Sequence, residues 1–251
     1  MSRRVIVKLS GEALAGTQPG LYDDWVIMRI VSEIKQAVAQ GIQVALVVGG
    51  GNIWRGRNTE NSAAVFPIER SRSDHMGMCA TIINAIYLSQ AFQSLQISAP
   101  VMTPFAMGSF TGLFELRDAD ARLARGEVVI NAGGLGHPYF STDTITALRG
   151  AELHADSILY AKNGVDGVYD DDPRVNAAAR LYKSISYWEV IQKNLKVADT
   201  SAMHISMEAG TASFIFNMDR PGALYAACTG QTNENVLGTH VSLTSEEEYY
   251  V

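Results

Sequence analysis

The order of apolar runs along this chain constrains its fold more than any single motif does. Val5-Ile-Val-Lys-Leu9 and Val44–Val48 are short and rich in β-branched residues, as strands are. Between them Ile27, Ile30, Val31, Ile34 and Val38 recur at helical intervals on one stripe, and Gly41 follows as a stop. Strand, helix, strand predicts a parallel pair with a right-handed crossover. Further strands are predicted at Val128–Asn131, Ser157–Tyr160 and Phe214–Phe216. Further helices are predicted over Asp74–Gln93, with Asp74 as N-cap, and over Asp118–Arg125, closed by Gly126. The fold class is α/β, a three-layer αβα sandwich whose mostly parallel central sheet is covered on both faces.

With 251 residues, 47% of them hydrophobic, the chain can bury a substantial core as one domain. Two lobes are expected to share the sheet, about 1–155 and about 156–241, followed by an acidic tail, 242–251, that frays. The net charge is −6 and no local basic excess stands out, which argues against nucleic acid as a partner. No stretch reaches the roughly 18 apolar residues of a membrane span, and the short run after MSRR lacks a signal peptide's pattern. The expected setting is cytoplasmic. Cys79 and Cys228 sit among apolar neighbours and read as buried thiols, with no disulfide framework.

In parallel sheets ligands gather at the carboxyl ends of the strands. Four strand ends here carry small or polar residues: Lys8-Leu-Ser-Gly11, Gly49-Gly-Gly51, Ala132-Gly-Gly-Leu-Gly136 and Asn163-Gly164. Glycine allows a turn with positive φ and removes the Cβ that would keep a phosphate from backbone N–H groups. One such cluster is as easily a corner as a cradle; four around one cleft point to anion binding. Neither G-x-x-x-x-G-K-S/T nor G-x-G-x-x-G is present, so no single loop wraps a nucleotide.

Lys8 interrupts an apolar strand, either with its head in water or as a rigidly placed charge beside a phosphate. Arg55, four residues past Gly51, is either a solvated loop residue or a fork for phosphate oxygens. Asp74 either caps its helix or accepts a sugar hydroxyl. Asp143 and Asp199 lie in the threonine-containing turns STDT and ADTS, and Asp170–Asp172 read as a turn followed by a helix start. The five histidines, His75 and His137 among them, show no metal spacing. No serine stands in G-x-S-x-G, which speaks against a hydrolase of that kind.

Six segments in order, KLSGEAL, GGGNIWRG, DHMGM, AGGLGHPYFSTDT, AKNGVDGVYDDDP and FNMDRPGAL, spread from about Val5 to Gly238, resemble the bacterial uridylate kinase family of the amino-acid-kinase fold superfamily. The resemblance implies transfer of the γ-phosphate of ATP to UMP, giving UDP and ADP, with Mg²⁺. It also implies a homohexamer, a cytoplasmic place in pyrimidine nucleotide synthesis, and inhibition by UTP. Carried over position by position, Lys8, Ser10, Gly11, Gly51 and Arg55 would meet ATP phosphates. Asn163, Tyr169 and Asp172 would hold the nucleoside half of ATP. Gly50 and Asp74 would meet UMP, and the loop Leu135, Gly136, His137, Pro138, Tyr139, Phe140, Ser141 and Thr142 would wrap it. Lys8, Arg55, Asp143 and Asp199 would be the catalytic set. No protein metal ligand is implied, because Mg²⁺ would come through the ATP phosphates.

The chemistry agrees with this. An acceptor phosphate is already anionic near pH 7, so no general base is needed. Positioning and charge neutralisation carry the reaction, which suits glycine loops, a lysine and an arginine. A relative acting on a carboxylate or carbamate would not need the long GHPYFSTDT loop or Asp74. A non-catalytic nucleotide sensor or storage protein would tolerate loss of Lys8 or Arg55, and both are kept. Three departures from the family stand out. His137 replaces a common asparagine, and imidazole titrates near neutral pH, so UMP affinity is expected to vary with pH in a way His137→Asn abolishes. The loop GTQPGLYDD has Pro19 and lacks the G-F/Y-G element, which puts GTP activation in question. ADTSAMHISMEAGTASFIF carries small residues behind Asp199.

Overall fold

Alternation along the first strand, β1 (Arg4–Leu9), sets up both faces of the sheet. Val5, Val7 and Leu9 pack into one core with the stripe of α2 (Asp24–Ala39). Ile6 points to the opposite core, shared with Ala119 and Leu123 of α4 (Leu116–Ala124) and Ile145 of α5 (Thr142–Glu152). Lys8, two residues on, falls on the Ile6 face. The computed structural model describes residues 2–16, 20–55, 66–231 and 236–250.

The remaining strands are β2 (Gln43–Val48), β3 (Val101–Thr103), β4 (Gly112–Leu113), β5 (Val129–Asn131), β6 (Ser157–Lys162), β7 (Tyr182–Ser186), β8 (Ala212–Asn217), β9 (Gly238–Ser242) and β10 (Glu248–Tyr249). They form one sheet in the order β10-β7-β9-β8-β6-β1-β2-β5-β3-β4. β1 lies parallel between β2 and β6, with Lys8 opposite Val47 and Tyr160. Only β8–β9 and β7–β10 run antiparallel among the described pairs. The other helices are α1 (Gly11–Ala15), α3 (Arg70–Ser94), α6 (Tyr187–Gln192), α7 (Thr200–Ala209) and α8 (Ala223–Thr229). Helices α2, α3 and α8 cover one face; α4, α5 and α7 cover the other. The predicted α/β sandwich with a mostly parallel sheet is the observed fold.

Two caps show how the helices are held in register. Asp23 accepts from the N–H groups of Trp25 and Val26, at 3.0 and 3.3 Å, and starts α2. At the start of α8, Gly222 has no side chain to offer. Glu33, buried on α2, supplies the cap instead, accepting from Gly222, Leu224 and Tyr225 N–H at 3.0 to 3.1 Å.

Several expectations are corrected. α3 begins at Arg70, so Asp74 sits inside the helix and is not its N-cap; Glu69 holds that place. The first turn, Arg70-Ser-Arg-Ser73, has no apolar periodicity to announce a helix. Cys228 is buried but Cys79 is exposed, on the outer side of α3. The acidic end does not fray: β10 pairs with β7, Tyr249 stacks on Tyr182 at 4.4 Å, and Lys183 binds Glu248 at 2.7 Å. Asp170–Asp172 form a turn, but no helix follows it. Pro19, Gly56 and Val251 lie outside the described residues. Among the described residues, no helix is long and apolar enough to cross a membrane.

Candidate active site

The glycines after β1 and β2 let two chain segments touch. A Cβ on Gly11 would stand 2.5 Å from the Gly51 nitrogen, and one on Gly50 would stand 2.8 Å from Ala80 Cβ and 2.9 Å from the Gly77 carbonyl. Neither contact leaves room for a side chain. The expected positive φ is absent at Gly49, Gly50 and Gly51, and present at Gly133, Gly134, Gly136 and Gly164. The first cluster therefore serves close approach, the others turning.

Over these glycines opens a cleft bounded by Lys8, Ser10, Gly11, Gly51, Arg55 and Asp143. Ser10 caps α1, accepting from Ala13 N–H at 3.1 Å. Lys8 meets Asp143 at 2.9 Å, both side chains nearly out of solvent. Burial pushes the Asp143 carboxyl up, but Lys8 and Lys162, with the Asp199 N–H, outweigh it and hold the carboxyl below its ordinary value. Asp199 caps α7 through Ala202 N–H at 2.7 Å; its other oxygen accepts from Ser141 Oγ and from Thr144 Oγ1. Arg55 pairs with Glu12 at 2.5 Å at the exposed rim. A kinetically relevant phosphate would have to win Arg55 from Glu12.

A second cleft adjoins the first and shares Gly50 and Thr142 with it. Trp54, Ser73, Asp74, Gly77 and Phe140 are among its walls. Trp54 Nε1 donates to Ser73 Oγ at 2.9 Å, and Gly133 N–H donates to Thr81 Oγ1 at 2.8 Å. Asp74 Oδ2 accepts from Tyr139 N–H at 2.8 Å, with Arg70 3.7 Å away and also over the Tyr139 ring. This contact holds Tyr139 at φ 74, a strained value for a non-glycine residue. Of the loop Leu135–Thr142, Phe140 and Thr142 line this cleft and Ser141 lines the first. Leu135 instead packs into the core beneath, and His137 and Tyr139 are exposed.

A third hollow, about 350 Å³, lies on the C-terminal side between Tyr169, Asp170, Asp172, Lys193 and Lys196. Asp172 is engaged by Arg174 at 3.0 Å. Asn163 stands between this hollow and the first cleft, 3.5 Å from Ser10 Oγ, and is held by Asp219 at 2.8 Å.

Sequence reasoning missed Lys162, Asp219, Trp54 and Ser73. Lys162 had a visible signal: it closes an apolar strand just before Asn163-Gly164, as Lys8 does before Ser10-Gly11. It donates to the Val197 carbonyl at 2.7 Å. Burial lowers its pKa, against the attraction of Asp143, and Lys8 lowers it further. Trp54, Ser73 and Asp219 carry no local pattern; the fold alone assembles them.

Glycine loops and a lysine at the carboxyl edge of a parallel sheet suit the binding of phosphates. Residues 3–217 match the amino acid kinase family, a class of phosphotransferases. The chain is 43% identical over 228 residues to a uridylate kinase of Limosilactobacillus reuteri, covering 91% of this chain and 93% of that one. It is 41% identical over 244 residues to uridylate kinase of Streptococcus thermophilus, covering 97% and 96%. The structure matches that of UMP kinase from Bacillus anthracis with a TM-score of 0.90 at 33% identity, over 98% of each chain. It matches that of UMP kinase from Ureaplasma parvum with 0.88 at 32%, over 96% and 99%. The chain belongs to the uridylate kinases of the amino acid kinase family.

Proposed function

We propose that this enzyme transfers the γ-phosphate of ATP to UMP, giving UDP and ADP, by direct in-line displacement. The observation that carries the reading is the wall shared by two clefts: Gly50 and Thr142 belong to both. ATP phosphates would lie over Lys8, Ser10, Gly11, Gly51 and Arg55. UMP would lie against Gly50, Asp74, Phe140 and Thr142. Reacting oxygens are then brought together across one glycine, and positioning of this kind supplies much of a phosphoryl-transfer rate. The third hollow, with Tyr169 and Asp172 and Asn163 beside it, suits the nucleoside half of ATP. On this reading the lobe of about 1–155 takes UMP and that of about 156–241 takes the nucleoside of ATP, in one domain.

Oδ2 of Asp74 holds the loop, and among the described residues Oδ1 has no donor, which suits a ribose hydroxyl. Asp143 and Asp199 are engaged by lysine, hydroxyl and N–H groups, and no group of three or more metal-ligating side chains occurs among the described residues. The residues fit a Mg²⁺ carried on the ATP phosphates, where it would neutralise charge on the transferred group.

The outer side of α3 supports the homohexamer. Met76, Ile83, Ile86 and Tyr87 are exposed there, while Ile82, Ala85, Leu88 and Phe92 fill the core on the inner side. A helix apolar on both sides is ordinarily buried on both. Trp25, 89% exposed, starts the neighbouring helix, tied to α3 by the bond from Tyr87 to Asp24. A second copy is the cover we assign to this face. Cytoplasmic pyrimidine nucleotide synthesis and inhibition by UTP belong to the same reading.

A coupled assay with ATP and Mg²⁺ tests the function. UMP is expected to be the fastest acceptor among UMP, CMP, dUMP and aspartate; a faster rate with aspartate, or none with UMP, rejects it.

A further inference from the structure

Helix α3 runs along the acceptor cleft and turns one side to it. Ser73, Asp74, Gly77, Met78 and Thr81 are the wall residues it supplies. Spacing by threes and fours puts them on one side of the helix, with Gly77 a turn from both Ser73 and Thr81. Glycine is the poorest helix former apart from proline, yet it stands here inside a long helix.

A fold keeps a glycine for a positive φ or for a neighbour that leaves no room for a Cβ. Every other described glycine has at least one of these: a positive φ, or an atom within 4 Å of the place its Cβ would take. Gly77 has neither. Its backbone is helical, and among the described residues nothing lies within 4 Å of that place. Gly50 makes the contrast. A Cβ on Gly50 would meet the Gly77 carbonyl at 2.9 Å, so Gly50 is small to let α3 approach, whereas a Cβ on Gly77 would project into open cleft.

We infer that Gly77 is a specificity-determining residue of the acceptor cleft: it lacks a side chain so that the acceptor nucleoside can lie against the α3 backbone. The inference rests on the assignment of this cleft to UMP. Asp74, about one turn before, is the group that suits a ribose hydroxyl. Thr81, one turn after, has its backbone nitrogen 3.0 Å from where a Cβ on Gly50 would stand, at the wall shared by the two clefts. Gly77 therefore lies between the anchor of the sugar and the meeting point of the phosphates. A methyl group there would push the sugar off the helix, while the helix itself would gain a better former.

These two effects have opposite signs, and the test uses both. For Gly77→Ala the melting temperature without ligand is expected to rise by roughly 1–3 °C. KM for UMP should rise roughly 10-fold, while KM for ATP changes by less than about twofold. The upward shift in melting temperature that UMP gives the unaltered enzyme should shrink in the variant. Gly77→Leu, larger and also well accepted in a helix, should raise KM for UMP further. An unchanged KM for UMP in folded Gly77→Ala overturns the inference. So does a lower melting temperature without ligand, which would give the glycine a packing role. Equal rises in both KM values would mean general damage to the site and overturn it too. The kinase reading fails on a different result, no phosphorylation of UMP by the unaltered enzyme.

Discussion

Lys8 and Asp143 form an ion pair nearly out of solvent, so substitutions there are expected to act on stability and, on the proposed reading, on the rate. Lys8→Ala is expected to lower kcat at least about 100-fold, the scale of losing a placed charge at a transition state. It also strands a buried carboxylate, at about 3 kcal/mol. Lys8→Ala/Asp143→Asn should recover most of the melting temperature and none of the rate; recovery of rate would remove Lys8 from the catalytic set. The pH dependence follows from the same pair. The Asp143 carboxyl is held below its ordinary value when folded. The stability it confers is therefore fully present above the unfolded value of about 4 and lost as pH falls through the lower folded value. Melting temperature measured from pH 6 downward should fall less steeply below pH 4 in Asp143→Asn than in the unaltered protein. Lys8 was legible in the sequence because a lysine inside an apolar strand is out of place. Asp143 was named beside it in the catalytic set, but their pairing was not legible, because nothing in STDT says that α5 brings Asp143 over β1.

The caps and edges of the elements were the less legible part. The stripe of α2 and the strands flanking it follow directly from spacing. β3, β4 and β10 are two or three residues long, too short to show a period, and exist because a neighbouring strand is already there. The cap of α8 is likewise supplied from another helix, so no window around Gly222 contains it. Glu33→Ala leaves three N–H groups at that helix start without their acceptor and is expected to destabilise the fold by about 2–3 kcal/mol. That corresponds to a lower melting temperature of roughly 5–10 °C for a chain of this length. Calorimetry showing no shift would mean that water replaces the carboxylate at no cost. The same reasoning explains the misplaced Asp74. Asp74 is a residue type that favours a helix start, whereas α3 begins a turn earlier and turns the carboxylate toward the loop at Tyr139.

In the assembled molecule, the two apolar sides of α3 pair one surface already filled with one still open. Ile83→Glu is expected to break the proposed homohexamer into smaller species by sedimentation, with the fold kept, since Ile83 is 51% exposed in the single chain. An unchanged sedimentation coefficient would clear this face of any role in assembly. The overall α/β sandwich was readable because strand–helix–strand order permits few topologies. The division of the active site into adjoining clefts was not, since it depends on how far two loops approach. That approach has a consequence for anyone seeking to change what the enzyme accepts. On the proposed reading Gly50 faces donor and acceptor at once, and it has α3 against its back. Any side chain placed there would disturb both ligands together, so this point offers no independent handle on selectivity. Redesign toward another nucleotide has to begin at the far end of the acceptor cleft, around Ser73 and Asp74, where the donor does not reach.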